Sequence, residues 1–236
     1  MNHNSVSVTK VTHKLKAEIV EVGKRIYNRG FVASNDGNVS VRIEKNKILI
    51  TPTGISKGFM EPDDLIVLDL DGNLVEGKRK QSSEANMHLQ IYKSRPDVMS
   101  VCHTHPPYAT GFAVAGIPLD KMVLPEVIIV LGSIPLVEYG TTGTDELYGM
   151  ISKYVLDYDA FLLANHGVVT LGKTVIDAYH KMETVEHAAK IQFIAAQLGN
   201  VNTLNKKQTG KLIEFREKFG VRKNVGLPSA KKSKKK

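Results

Sequence analysis

The chain has 236 residues, 42% of them hydrophobic and 24% charged, with a formal net charge of +8. That length and composition fit one domain with a substantial core and exclude intrinsic disorder as the general state. No run approaches the roughly 18 apolar residues of a membrane span, and a single cysteine, Cys102, excludes an intramolecular disulfide.

The opening Met1-Asn2-His3-Asn4-Ser5-Val6 lacks the basic start and apolar core of a signal peptide, so a cytoplasmic, reducing location is expected. Much of the charge sits at the other end, in Lys231-Lys232-Ser233-Lys234-Lys235-Lys236, and without those lysines only +3 remains. Such a run reads as a solvated, disordered tail over 229–236, leaving 1–228 as one folded domain. No aromatic-rich basic motif accompanies it, so neither nucleic acid nor membrane is an expected partner.

In chain order, Leu15, Ile19, Val22 and Ile26 recur at helical spacing and predict a helix over 12–29, with Gly30 as its stop. The polar loop Ala33-Ser34-Asn35-Asp36-Gly37-Asn38 leads into an alternating strand, Val39 to Ile43. Lys47 to Thr51 returns as its hairpin partner and runs into the small-residue loop Thr51-Pro52-Thr53-Gly54-Ile55-Ser56-Lys57-Gly58. Leu65 to Leu70 is a third strand, and Asp71-Gly72-Asn73 turns it back through Leu74-Val75. Ser82-Ser83-Glu84 opens a helix to about Lys93, with hydroxyls for its free amides and a carboxylate suited to its dipole.

Val98 to His103 reads as a strand ending in His103-Thr104-His105, with Pro106-Pro107 stopping it. Side chains at i and i+2 of a strand share a face, so the two imidazoles aim at one point, half of a tetrahedral zinc site. Cys102 alternates with His103 and is expected in the core. A short helix follows from Tyr108 to Ala115, then an apolar stretch, Val127 to Val137, read as strand broken at Gly132. Thr144 is expected to cap a helix to Tyr154. Ala160 to Ala164 is a buried strand ending in Asn165-His166-Gly167, and Val168 to Leu171 is read as its continuation. Thr174 opens a long helix to Leu198, stopped by Gly199, and a last helix spans Gln208 to Lys218. Strands joined by hairpins and short links, flanked by longer helices, predict a single-domain α/β fold with a mainly antiparallel sheet. No dinucleotide-binding or P-loop glycine motif is present.

Three histidines thus fall at strand ends: His103, His105 and His166. Three neutral imidazoles with an open fourth position suit a catalytic metal better than a structural one. His88, His180 and His187 on predicted helices, and His3 and His13 near the N-terminus, read as ordinary packing or surface residues. Gly37-Asn38, Thr53-Gly54 and Ser82-Ser83 offer hydroxyls, an amide and free backbone amides, a chemistry that holds phosphate without arginine.

The stretches Asn35-Asp36-Gly37-Asn38-Val39-Ser40, Thr51-Pro52-Thr53-Gly54, Ser82-Ser83-Glu84, His103-Thr104-His105-Pro106 and Asn165-His166-Gly167, in this order, resemble the class II aldolase/adducin family. They are closest to its L-fuculose-1-phosphate aldolase branch. The resemblance covers about residues 15–220. It implies an αβα sandwich and a homotetramer with active sites at subunit interfaces. It also implies one zinc per subunit, or another divalent metal, on His103, His105 and His166, with Glu84 as a further ligand when no substrate is bound. Glu84 would be the catalytic carboxylate, and Gly37, Asn38, Thr53, Gly54, Ser82 and Ser83 the phosphate site. The implied activity is cleavage of a ketose 1-phosphate to dihydroxyacetone phosphate and an aldehyde. A neighbouring subunit would supply an acid, either a tyrosine or Glu126. Relatives that epimerise carry Ser-Ser-Asp where this chain has Ser82-Ser83-Glu84. Dehydrating or decarboxylating relatives and a non-catalytic adducin-like module are the remaining alternatives.

Overall fold

The computed structural model describes residues 3–221 and 226–227, with side chains from residue 13 onward. Its helices are α1 (His3–Asn28), α2 (Ala85–Ser94), α3 (Pro107–Val114), α4 (Pro125–Val130), α5 (Asp145–Ile151), α6 (Val175–Leu198) and α7 (Lys206–Phe215). The strands are β1 (Asn38–Glu44), β2 (Lys47–Ile50), β3 (Ile66–Asp69), β4 (Leu74–Glu76), β5 (Ser100–Thr104), β6 (Leu136–Val137), β7 (Ala160–Leu163) and β8 (Gly167–Gly172). They form one sheet in the order β4-β3-β2-β1-β5-β8-β7-β6. Every pairing is antiparallel except β6 with β7.

The period-2 alternation of the strands divides the core in two. Val39, Val41, Leu49, Val67, Cys102, Leu162 and Val168 face one way and pack with α1, α3, α4 and α6. Ile48, Ile50, Ile66, Leu68, Val101, Phe161, Leu163 and Val169 face the other and pack with α2 and α5. Each fully buried aliphatic side chain contributes about 1.5–3 kcal/mol, so the helices on both faces stabilise the sheet between them. The result is the expected αβα sandwich. Cys102 lies in the core, where burial pushes its thiol up to about 12.

Several expectations about elements give way. The apolar run Val127-Ile128-Ile129-Val130 is helix, not strand. Pro125 sits in the first turn, where its fixed φ favours a helix start, and Val127 and Ile128 bury one side. Only Leu136–Val137 of that stretch pairs in the sheet. Thr144 takes the N-cap position of α5 as expected, but its side chain makes no cap bond; its hydroxyl donates to the Thr141 carbonyl at 2.7 Å, while Glu146 accepts from the Thr141 amide at 3.1 Å. That helix stops at Ile151 and breaks into turns before Tyr154. Val168 to Leu171 does not prolong the preceding strand; β8 folds back antiparallel on β7 around Asn165, whose φ of 56° is left-handed. The first helix begins earlier than read, at His3, and the last runs Lys206–Phe215 before a 3-10 turn at Arg216–Phe219. Thr174 does cap α6, accepting from the Asp177 amide at 3.0 Å. The lysine tail 229–236 lies outside the described residues. Among the described residues no helix is long and apolar enough to cross a membrane.

Candidate active site

Strand β5 carries His103 to the centre of the sheet, fully buried between β1 and β8. Its Nδ1 lies 2.9 Å from the Val168 carbonyl. A carbonyl only accepts, so Nδ1 holds the proton and Nε2 presents a lone pair. His105 follows the strand end; its backbone amide is pinned to the Phe31 carbonyl at 2.9 Å. Its Nδ1 is 3.6 Å from Asp36 Oδ2, a carboxylate placed to orient the ring. His166 comes from the left-handed β7–β8 turn. The three ring centroids stand 4.6–5.0 Å apart.

Glycine makes room for this cluster. A Cβ on Gly167 would stand 2.5 Å from His105 Cδ2 and 2.6 Å from the Thr104 carbonyl. Gly37 has φ +74°, and a Cβ there would lie 2.7 Å from Val32 Cγ1 and 3.0 Å from the His103 carbonyl. Both loops therefore approach β5 as closely as backbone allows.

Glu84, at the start of α2, closes the group. Its Oε1 is 3.0 Å from His166 Nε2 and its Oε2 is 3.3 Å from His103 Nε2. Asn38 Nδ2 donates to Oε2 at 2.9 Å. Burial raises the carboxyl pKa, but the His103 and His166 imidazoles outweigh it and hold the group well below the usual carboxylate range. Burial, with His103 and His166 beside it, pushes His105 down to about 3, so its ring is neutral. Burial also works against a charged His103, yet the Glu84 carboxylate raises it on balance.

The donor set fits a metal ion. Ligand atoms of His103, His105 and His166 lie within 4.8 Å of one another. His103 Nε2 and His105 Nε2 face each other at 3.2 Å. Two lone pairs that close repel unless a cation or proton lies between them, and nitrogens sharing a tetrahedral zinc are about 3.3 Å apart for bonds of roughly 2.0–2.1 Å. Glu84 Oε1 and His166 Nδ1 are buried without a hydrogen-bond partner.

The loops read as phosphate-binding gather at the same end of the sheet. Thr53 N donates to the Lys80 carbonyl at 3.1 Å, tying the Thr53-Gly54 loop to the segment before Ser82-Ser83. Ser82 Oγ accepts from the Glu84 amide at 3.2 Å. Gly54 adopts φ +76° with open space around it. Asn38 differs from the others in that its side-chain amide is directed at Glu84. Glu126 stands elsewhere in the subunit, in a cavity of about 530 Å³ with Arg29, Glu183 and His187, and no member of the triad lines it.

Two residues escaped the sequence reading. His88 is fully buried beside the site, with its Nε2 on Asn38 Oδ1 and its Nδ1 2.7 Å from Ser40 Oγ. Its spacing of four from Glu84 on one helix face was the available signal. Lys57 is buried too, and Nζ donates to the Asn35 and Ile55 carbonyls at 2.9 Å each, clamping the two glycine loops together. Burial pushes its amine down to about 8. Nothing local in the sequence marks it.

Comparison with known proteins decides the family. The profile of the class II aldolase and adducin N-terminal domain matches residues 17–193. The chain belongs to the class II aldolase/adducin family. An L-fuculose phosphate aldolase of Methanococcus maripaludis is 40% identical over 181 residues, covering 77% of this chain and 97% of that protein. A 3-oxo-tetronate 4-phosphate decarboxylase of Haemophilus influenzae is 36% identical over 186 residues, covering 75% of this chain and 86% of its own length. A solved L-fuculose 1-phosphate aldolase superposes with a TM-score of 0.80 at 34% identity, covering 88% of this chain and 96% of that one. Class II aldolases depend on a metal, and in this member of the family His103, His105 and His166 are the side chains that fit one.

Proposed function

We propose that the chain is a zinc-dependent lyase that reversibly cleaves a ketose 1-phosphate of the L-fuculose 1-phosphate type to dihydroxyacetone phosphate and an aldehyde. The observation that carries the reading is the buried Glu84 carboxylate set between His166 Nε2 at 3.0 Å and His103 Nε2 at 3.3 Å, with His105 completing the triad. His103, His105 and His166 would hold the metal, with Glu84 as a further ligand in the absence of substrate. When bound, the metal supplies Lewis-acid stabilisation of the negative charge that develops as the carbon–carbon bond breaks.

The chain's own residues do the rest. Gly37, Asn38, Thr53, Gly54, Ser82 and Ser83 receive the phosphate on backbone amides and hydroxyls, and Asn38 adds the one Nδ2 hydrogen left after its bond to Glu84. In cleavage the C4 hydroxyl gives up its proton to an acid–base group of the neighbouring subunit, Glu126 or a tyrosine. The C3–C4 electron pair stays with the three-carbon phosphate half, and the aldehyde departs. Glu84, having taken a proton from water once substrate moves it off the imidazoles, delivers it to C3, which completes dihydroxyacetone phosphate; in the aldol direction it removes that proton, and the neighbouring group returns its own to water. Moved off the imidazoles by substrate, the carboxyl is left with burial, which raises its pKa toward the range a proton carrier needs.

A homotetramer with sites at its interfaces belongs to the same reading. Ile194 and Leu198, one turn apart on α6, are 44% and 85% exposed, apolar surface for an assembly to cover. The decarboxylase relative favours one second reading, in which a 3-oxo acid phosphate loses CO2 and leaves the same charge at the same place. The test is a screen of zinc-loaded protein against L-fuculose, L-rhamnulose and 5-deoxyribulose 1-phosphates, L-ribulose and D-ribulose phosphates, and 3-oxo-tetronate 4-phosphate. Dihydroxyacetone phosphate from a ketose 1-phosphate is the expected product. Turnover of 3-oxo-tetronate 4-phosphate alone, releasing carbon dioxide with dihydroxyacetone phosphate, would replace the aldolase with the decarboxylase, and silence on all would overturn both.

A further inference from the structure

The hydrogen bonds behind Glu84 form a buried line that runs away from the metal site. From the sheet, β1 offers Asn38 and Ser40, i and i+2 on the face toward α2. From the helix, Glu84, His88 and Tyr92 are spaced by four along one face. Two residues of strand and one helical turn both advance about 6 Å, so the two rows interdigitate. Asn38 Nδ2 bonds Glu84 Oε2 at 2.9 Å, and Asn38 Oδ1 bonds His88 Nε2. His88 Nδ1 bonds Ser40 Oγ at 2.7 Å, and Ser40 Oγ bonds Tyr92 Oη at 2.8 Å. Asn38, Ser40, His88 and Tyr92 are all at most 3% exposed.

The Asn38 bond sets the polarity of the line. Asn38 Nδ2 donates to Glu84 Oε2 at 2.9 Å, which turns its carbonyl oxygen toward His88. That oxygen only accepts, so His88 carries its proton on Nε2. Burial, aided by His103, pushes His88 down to about 3, so the ring is neutral and Nδ1 is bare. Ser40 must therefore donate to Nδ1, which leaves Tyr92 to donate to Ser40. The donors of this line end at Glu84 Oε2, whereas Oε1 takes no bond from it and faces only His166 Nε2, at 3.0 Å.

We propose that Asn38 and His88 are positioning residues that anchor Glu84 through Oε2 and thereby assign proton transfer to Oε1. The inference rests on the reading of Glu84 as the proton carrier. The anchored oxygen keeps its N–H contact whether or not the group is protonated, so the carboxyl swings about a fixed point between the imidazoles and the substrate. A residue that orients a group of the metal site from behind typically matters by 10–100-fold.

The test combines a spectrum with two variants of the full chain. In the zinc-loaded protein, histidine ring nitrogen resonances identify the His88 tautomer; protonated Nε2 with bare Nδ1 is expected, and a proton on Nδ1 overturns the proposal. His88→Leu removes the anchor, whereas His88→Gln keeps a donor toward Asn38 and an acceptor toward Ser40. The expected result is a fall of about tenfold or more in kcat for His88→Leu, with affinity for inorganic phosphate unchanged and most of the rate restored in His88→Gln. Unchanged kcat in His88→Leu, equal damage in both variants, or a loss confined to phosphate affinity would each contradict the positioning role. Failure of His88→Leu to fold leaves the tautomer and His88→Gln to decide. If the unsubstituted protein forms no dihydroxyacetone phosphate, the proposed reaction fails, while the spectrum still judges the polarity of the line.

Discussion

Glu84 is where a structural and a chemical role part most clearly. As a residue at a helix start it contributes about 0.3–1 kcal/mol through the dipole, and glutamine would replace it at little cost. As the proton carrier it is irreplaceable by an amide of the same shape. Glu84→Gln should lower turnover by roughly 10²–10⁴, with zinc content and affinity for a dihydroxyacetone phosphate analogue preserved. Zinc analysis, analogue titration and cleavage rate on the same preparation separate the cases: lost zinc would make Glu84 chiefly a ligand, and near-normal cleavage would make it only a helix-start residue. Lys57 gives a second prediction. A neutral amine has two N–H donors, matching the two carbonyls it bonds. The folded amine titrates at about 8, below the roughly 10.4 of an unfolded lysine. The unfolded chain then binds more protons at this site in that window, so the Lys57 contribution to stability rises as pH climbs through it. The buried Cys102 thiol, pushed up to about 12, works in the opposite direction, so the measure is a difference: denaturant unfolding at several pH values should show the unsubstituted protein gaining stability relative to Lys57→Met as pH rises, and a constant or shrinking difference would refute the assignment.

At the scale of elements, Gly167 at the start of β8 supports the triad. Gly167→Ala would gain about 0.4–1 kcal/mol from the stiffer unfolded chain. Against that stands a Cβ 2.5 Å from the His105 ring and 2.6 Å from the Thr104 carbonyl, the latter being backbone that yields poorly. Overpacking of this kind costs about 1–3 kcal/mol, so the clash wins. A lower melting temperature together with weaker zinc affinity is expected by calorimetry; unchanged zinc affinity would show that β5 moves without the imidazoles. The elements that sequence made legible are those whose pattern and neighbours agree. The alternation of β1 and β2, the Asp71-Gly72-Asn73 turn, and the Thr174 cap of α6 all describe local contacts. The helix α4 was not legible, because Val127-Ile128-Ile129-Val130 is β-branched throughout and only packing against its neighbours selects the helix. His103, His105, His166 and Glu84 were legible through their motifs and do converge. His88 and Lys57 were not, since their partners Asn38 and Asn35 lie 50 and 22 residues away.

For the whole molecule, the two-layered core orders one subunit, while the proposed reaction draws an acid from a second. Light scattering at micromolar concentration is expected to give a tetramer, and a stable active monomer would remove the shared-site chemistry. Truncation before Ser229 should leave assembly and most activity intact, because five of the last six residues are lysine and offer nothing to pack. A large fall in turnover would show that the terminal segment reaches a site. The central claim is that a metal on His103, His105 and His166 is required for cleavage of a ketose 1-phosphate. Its most direct measurement is dihydroxyacetone phosphate release from L-fuculose 1-phosphate by protein stripped with a chelator and then titrated with zinc. The expected result is silence in the stripped protein and activity that saturates at one zinc per chain, with no recovery in His166→Ala. Full turnover in protein holding less than about a tenth of an equivalent of metal would contradict it.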